Sequence, residues 1–143
     1  MPIADVMSVR IVSVDPEETV SGAIARMVAE SVGAVAVCDG PRLVGIFTER
    51  DVLRLAGEEA SFTDLRVRDV MTSALVTASP DDDIFAVARL MSERKIRHVP
   101  VLQGENLLGV IGIRDILGTL VETFLRTQDP EARETVRELL GRR

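Results

Sequence analysis

Apolar positions along the chain change their period several times, and then the whole series recurs. A short apolar run at Ile11–Val14 comes first. From Val20 the apolar residues recur at helical spacing: Val20, Ala23, Ile24, Met27 and Val28. Two further apolar runs, Ala34–Cys38 and Leu43–Phe47, flank Asp39-Gly40, a dipeptide suited to a hairpin turn. A helix is predicted from about Thr48 to Gly57. The second series reads Leu75–Ala78, then a helical stripe of Ile84, Val87, Ala88 and Met91. Strands at His98–Leu102 and Leu107–Ile111 then surround Gln103-Gly104. A closing helix begins near Gly112 and continues through Leu117, Val121 and Phe124 to about Arg126. Each series reads β-α-β-β-α.

The two series are copies. Sliding the chain by 64 residues sets Asp5-Val6-Met7 on Asp69-Val70-Met71, Pro16 on Pro80 and Met27 on Met91, and gives 14 identities in the 51 positions from Asp5 to Leu55. The helix starts are Asp15-Pro16-Glu17-Glu18 and Ser79-Pro80-Asp81-Asp82, where a cap, a proline and acids suit a first turn. Thr19 and Asp83 are the alternative caps. The copies span residues 1–62 and 63–126. A tail at 127–143 restarts a helix at Asp129-Pro130-Glu131, with Val136, Leu139 and Leu140 at helical spacing, and Gly141 ends it. This tail reads as one more packed helix or as an arm that binds a partner. The fold class is α/β (α+β). A unit of about 50 residues buries too little core alone. The copies are therefore expected to pack on each other about a pseudo-two-fold, with a cleft between them.

Charge narrows the function. The formal net charge is −6 and the pI about 4.8, which opposes nucleic-acid binding through phosphate neutralisation. There is no Trp or Tyr to stack on bases. No apolar run is long enough to span a membrane, and MPIADVMSVR lacks the pattern of a signal peptide. Cys38 is the single cysteine, so the expectation is a reduced, cytoplasmic protein with that residue in the core. His98 is the single histidine, so no His/Cys set suggests a metal site. Met27 and Met91 are read as core filling.

Candidate chemistry lies in a repeated sentence, Gly45-Ile46-Phe47-Thr48-Glu49-Arg50-Asp51 and Gly109-Val110-Ile111-Gly112-Ile113-Arg114-Asp115. Thr48 with Asp51 three residues on fits a capping box, which needs no ligand. The same helix start also suits a phosphate, with a threonine hydroxyl as donor and an aspartate to accept from ribose hydroxyls. Glycine at the strand start allows close approach of another backbone. The second copy has Gly112 in place of the threonine, yet Asp115 remains. This favours a ligand role for both aspartates modestly, since an acid also suits any first turn.

These residues in this order resemble a tandem pair of cystathionine β-synthase (CBS) domains: Asp-Val-Met, the proline-started helix, His98-Val99-Pro100-Val101, and the strand-to-helix sentence ending in aspartate. The resemblance covers about Ile3–Leu120 and implies two clefts that take adenine ligands such as AMP, ADP, ATP or S-adenosylmethionine. It also implies dimerising modules. In one cleft Asp51 would hold ribose and Thr48 a phosphate or ribose oxygen, with adenine near Thr77 and the backbone of Ile96–His98. In the other Asp115 would hold ribose, with adenine near Ser13, Val32, Gly33 and Ala34. Arg97 and His98 resemble the family's phosphate-contacting pair, which Gly33 and Ala34 replace in the first copy. Arg50 and Arg114 are read as solvated residues or as contacts to phosphate or a dimer partner.

The resemblance therefore implies a regulatory sensor, a homodimer that passes its state to a regulated protein and needs no obligatory cofactor. The competing reading is an interaction scaffold that binds no nucleotide, favoured by the incomplete motif in each cleft. No nucleophile–base pair, metal cluster or phosphate loop suggests an enzyme.

Overall fold

The computed structural model describes residues 1–7, 10–127 and 129–141. The chain forms two compact units. One holds Arg10–Leu75 with Gly104–Leu107, the other Met1–Val9, Val76–Gln103 and Leu108–Arg143.

In the first unit, β1 (Ser13–Val14) runs parallel to β2 (Ala34–Asp39), which pairs antiparallel with β3 (Arg42–Thr48) in a sheet of order β1-β2-β3. Gly40 takes the positive φ of +60° that the hairpin turn needs. The register shifts between Val37 and Cys38. Helix α1 (Val20–Glu30) puts Val20, Ala23 and Met27 in a core with Val35, Val37, Phe47, Leu55 and Val67. Helices α2 (Glu49–Gly57) and α3 (Val67–Val70) complete the unit.

The second unit holds α4 (Ile84–Arg94), β4 (His98–Gln103) and, from Leu108 on, β5 (Asn106–Gly112), which pair as a hairpin, with α5 (Ile113–Thr127) and α6 (Pro130–Gly141). Its core gathers Ile84, Val87, Ala88 and Met91 of α4 with Val99, Val101, Ile111, Ile116 and Leu120. The tail supplies buried Ala132 and Thr135, with Val136 and Leu139 packed at the core's edge. The side chain of Leu140, and Arg142 and Arg143, lie outside the described residues.

Several sequence expectations change. The caps are Thr19, whose hydroxyl accepts from Gly22 N–H at 3.0 Å, and Asp83. Asp15 instead closes a turn by accepting from Glu17 N–H at 2.8 Å, and Ser79 N–H donates to Asp82 at 2.8 Å. Val28, placed on the apolar stripe, is 74% exposed, because four apolar residues already cover that helix's buried face. The apolar run Leu75–Ala78 forms only a parallel bridge between Ala78 and Val101. Cys38 is half-buried rather than core, at the strand position where the register shifts.

The leading segments of the two copies are exchanged. Ile3 N–H donates to Asp82 O (2.9 Å), Ala4 N–H to Pro80 O (3.1 Å), and Ile84 N–H to Met1 O (2.9 Å). The residues 64 positions on form the same set inside the first unit. There Val67 N–H donates to Glu18 O (2.8 Å), Arg68 N–H to Pro16 O (3.0 Å), and Val20 N–H to Leu65 O (3.0 Å). The segment Ile3–Asp5 of the first copy thus serves the second copy's helix, and Val67–Val70 serves the first's. The compact units do not coincide with residues 1–62 and 63–126 for this reason.

Candidate functional site

Each unit builds one strand-to-helix corner from the repeated sentence. In the first, Ala34 opens β2 opposite Thr48, the last residue of β3. The Gly33 carbonyl accepts from Glu49 N–H at 2.9 Å, which pins the start of α2 to the start of β2. Thr48 N–H donates to Asp51 Oδ2 at 2.9 Å, and its hydroxyl lies 3.3 Å from the same oxygen. Arg54 approaches Asp51 Oδ1 at 3.6 Å. Asp51 is 9% exposed. Because β1 runs parallel to β2, Ser13 lies at the same end of the sheet, opposite Ala36. Gly33, Ala34, Thr48 and Asp51 are therefore gathered, with Ser13 on the far side of β2. Val32 packs on the core, and its N–H is taken by Met27 O at 3.0 Å.

The second unit repeats the construction. Ile113 N–H donates to Arg97 O at 2.8 Å, and Gly112 N–H to Asp115 Oδ2 at 3.3 Å. His98 fills the space beside Gly112: a Cβ there would lie 3.5 Å from His98 Cδ2 and 3.7 Å from Asp115 Oδ2. His98, Gly112 and Asp115 thus meet at the start of α5, with the Arg97 backbone bonded to it and Arg114 in its first turn, and Asp115 is exposed. Ile96 packs on the core with its N–H bonded to Met91 O at 3.0 Å. Thr77 is exposed and precedes Ala78, whose N–H donates to Pro100 O at 2.9 Å.

This geometry revises the argument from the missing threonine. Asp115 keeps a partner without it, because the partner is a backbone N–H that glycine also carries. Its persistence therefore needs no ligand. The corners also engage two backbone donors each, Thr48 and Glu49 N–H in one, Gly112 and Ile113 N–H in the other. An incoming phosphate would depend on the later N–H groups of the first turn and on side chains.

Two features escaped sequence reasoning. The replacement of Ala34 by His98 and of Thr48 by Gly112 is a single exchange of bulk across one strand pair. The shared spacing of 14 residues inside each copy was the available signal. The second feature is the depth of Asp51, set partly by Arg54, whose counterpart in the second copy is Gly118. The expectation for Gly45 holds: a Cβ there would overlap Met71 Sδ and lie 3.1 Å from Thr72 O, beside the paired Ile46 and Thr72 backbones. Burial raises the Cys38 thiol pKa above its ordinary value. Among the described residues no group of three or more His, Cys, Asp or Glu could hold a metal ion, and no helix is long and apolar enough to cross a membrane.

The CBS domain family model matches the chain twice, over residues 3–58 and 67–122. The chain belongs to the CBS domain family. A 33.4 kDa protein of Thermofilum pendens, encoded in a ribosomal RNA operon, is 44% identical over 92 residues, 64% of this chain. The chain spans only 30% of that relative's length. Among solved structures, a CBS-domain protein of Burkholderia ambifaria is 31% identical with a TM-score of 0.82, over 85% of this chain and 95% of that one. Two more distant structures share the CBS fold. A CBS domain protein of Pyrobaculum aerophilum, complexed with AMP, has a TM-score of 0.76 at 23% identity, over 85% of this chain and 99% of that one. The CBS domain pair of protein MJ0100, in complex with 5′-methylthioadenosine and S-adenosyl-L-methionine, has a TM-score of 0.79 at 21% identity, over 86% and 98%.

Proposed function

We propose that the chain is a cytoplasmic regulatory module that binds an adenine nucleotide or S-adenosylmethionine, self-associates as a homodimer and passes its state to a regulated protein. The observation that carries this reading is the repeated corner, in which an aspartate stands three residues into a helix beside the start of a strand. A carboxylate offers about four lone-pair positions, so Asp51 and Asp115 retain capacity for a pair of ribose hydroxyls beside the backbone N–H they already accept. The two CBS structures that hold adenine compounds support the ligand class, since they share the fold.

In this reading Asp51 and Thr48 take the ribose of one ligand and Asp115 the ribose of a second, with Thr77, Ile96–His98, Ser13 and Val32–Ala34 as the candidate adenine contacts. The second corner carries Arg97, His98 and Arg114, and it suits the ligand with more phosphate charge. Regulation then requires only that the ligand bind two conformations with different affinity.

A scaffold that binds no nucleotide is the second reading. The internal bonds of both corners favour it, because a capping role alone accounts for them. Calorimetric titration of the full chain with AMP, ADP, ATP and S-adenosylmethionine separates the two. Heat that disappears in Asp51→Ala or Asp115→Ala identifies the ligand and the occupied corner. Protein that is folded yet gives no heat with all four ligands sinks the sensor and leaves the scaffold.

A further inference from the structure

Helix α6 uses one face for the core of its unit and leaves a charged face outward. Ala132 and Thr135 are buried, and Val136 and Leu139 pack at the core's edge. Pro130, Arg133, Glu134 and Arg137 stand exposed along the outer ridge, with Glu138 half-buried beside them. Between α5 and α6 runs an apolar groove of about 330 Å³, lined by Val121, Phe124 and Val136 with Arg133 and Arg137 at its border. The Arg133 guanidinium stands over the Phe124 ring, 5.1 Å from its centre. Val121 is 44% exposed, and Leu125, one turn further along α5, is 73% exposed. This is apolar surface beside a charged face. Glu131 pairs with Arg89 at 3.5 Å, whereas among the described residues Glu134, Arg137 and Glu138 make no ion pair.

The order of these charges identifies an occupant. Arg133-Glu134 and Arg137-Glu138 are the same dipeptide one helical turn apart. Consider a second α6 laid antiparallel across the first, with a two-fold axis between Thr135 and Val136. Arg133 then stands opposite Glu138 of the second copy, and Glu134 opposite Arg137. The axis generates the same two pairs again, so every charge on the ridge meets its opposite. A parallel, in-register alignment sets each charge against its like. A two-fold interface must be self-complementary in this way.

We propose that α6 and the adjoining α5 groove form the surface through which a second copy of this chain docks, antiparallel, α6 against α6. The proposal rests on the self-association proposed above and adds the surface and its geometry. Exposed ion pairs contribute little affinity each, but they fix orientation and register. The affinity comes from covering Val121, Phe124, Leu125 and Val136.

Sedimentation equilibrium of the full chain tests this with two opposite double variants. Arg133→Glu with Arg137→Glu makes the ridge wholly acidic, and Glu134→Arg with Glu138→Arg makes it wholly basic. Each variant alone should dissociate at least about tenfold more readily than the dimeric wild type. Mixed in equal amounts, they should regain wild-type association as a heterodimer, which also shows that both are folded. If either variant self-associates as the wild type does, the chain pairs through another face and only this proposal falls. If both lose association and mixing does not restore it, the charge register is wrong and the proposal is overturned. A wild type that stays monomeric overturns self-association as well, and leaves the groove to a different protein.

Discussion

The starts of α2 and α5 are the same backbone construction filled with different side chains. In both, the residue before the helix donates its N–H to the aspartate three positions on, at 2.9 Å for Thr48 to Asp51 and 3.3 Å for Gly112 to Asp115. In both, the next N–H returns to the strand that opens the hairpin, at 2.9 Å to Gly33 and 2.8 Å to Arg97. What differs is where the bulk and the charge lie. The first corner sets alanine against threonine and buries its carboxylate beside Arg54. The second sets histidine against glycine and leaves its carboxylate exposed beside Gly112. The part of the motif that the backbone needs is thus retained in both copies. The part that a ligand would read has been redistributed.

The most severe way to break this comparison is to give the first corner the second's bulk. Ala34 is buried opposite Thr48, so Ala34→His forces an imidazole into filled space and should destabilise the chain by about 1–3 kcal/mol. Adding Thr48→Gly reproduces the second corner and should recover most of that loss. The measurement is the urea midpoint of the two variants. A double variant no more stable than Ala34→His alone would show that the threonine is not what limits the space.

A smaller effect separates the two carboxylates without ligand. Asp51→Ala removes the acceptor of Thr48 N–H in a buried corner and should cost about 1–2 kcal/mol. Asp115→Ala removes a longer bond at an exposed helix start and should cost only about 0.5 kcal/mol. Equal losses by urea unfolding would mean that the burial of Asp51 contributes nothing to its capping role. The calorimetric comparison of the same two variants then measures ligand affinity against a known stability cost.

Much of this was legible in the sequence because the chain states its plan twice. The alternation and helical stripes placed both hairpins and their closing helices to within about two residues. The sequence leaves two candidate caps at each helix start, Asp15 or Thr19 and Ser79 or Asp83, because aspartate and serine serve turns and caps through the same local bonds. The exchange of Ile3–Asp5 and Val67–Val70 was not legible, since hydrogen bonds between backbones leave no mark on residue type. At the two corners, the pattern placed Asp51 and Asp115 at equivalent positions but showed neither their depth nor the approach of Arg54. Asp51 and Asp115 occupy equivalent positions, and only packing makes one buried and the other exposed. Bulk traded between paired strands was visible as two separate departures and becomes one only when His98 is seen against Gly112.

The finest test of that unity restores the threonine. Gly112 does not have positive φ, and a Cβ there meets His98 Cδ2 at 3.5 Å, an ordinary contact. Gly112→Thr therefore fits the backbone, and its hydroxyl can cap α5 as Thr48 is placed to cap α2. The branched side chain carries two further atoms, and one of them must share the space of the imidazole. These effects oppose each other, so Gly112→Thr alone should change stability by less than about 0.5 kcal/mol. In a His98→Ala background the imidazole is gone, and the same substitution should stabilise by about 0.5 kcal/mol more than it does alone. A double-mutant cycle reads this directly. Additive effects would mean that histidine and glycine arose at these positions independently, and that the second corner has room for a hydroxyl it does not carry.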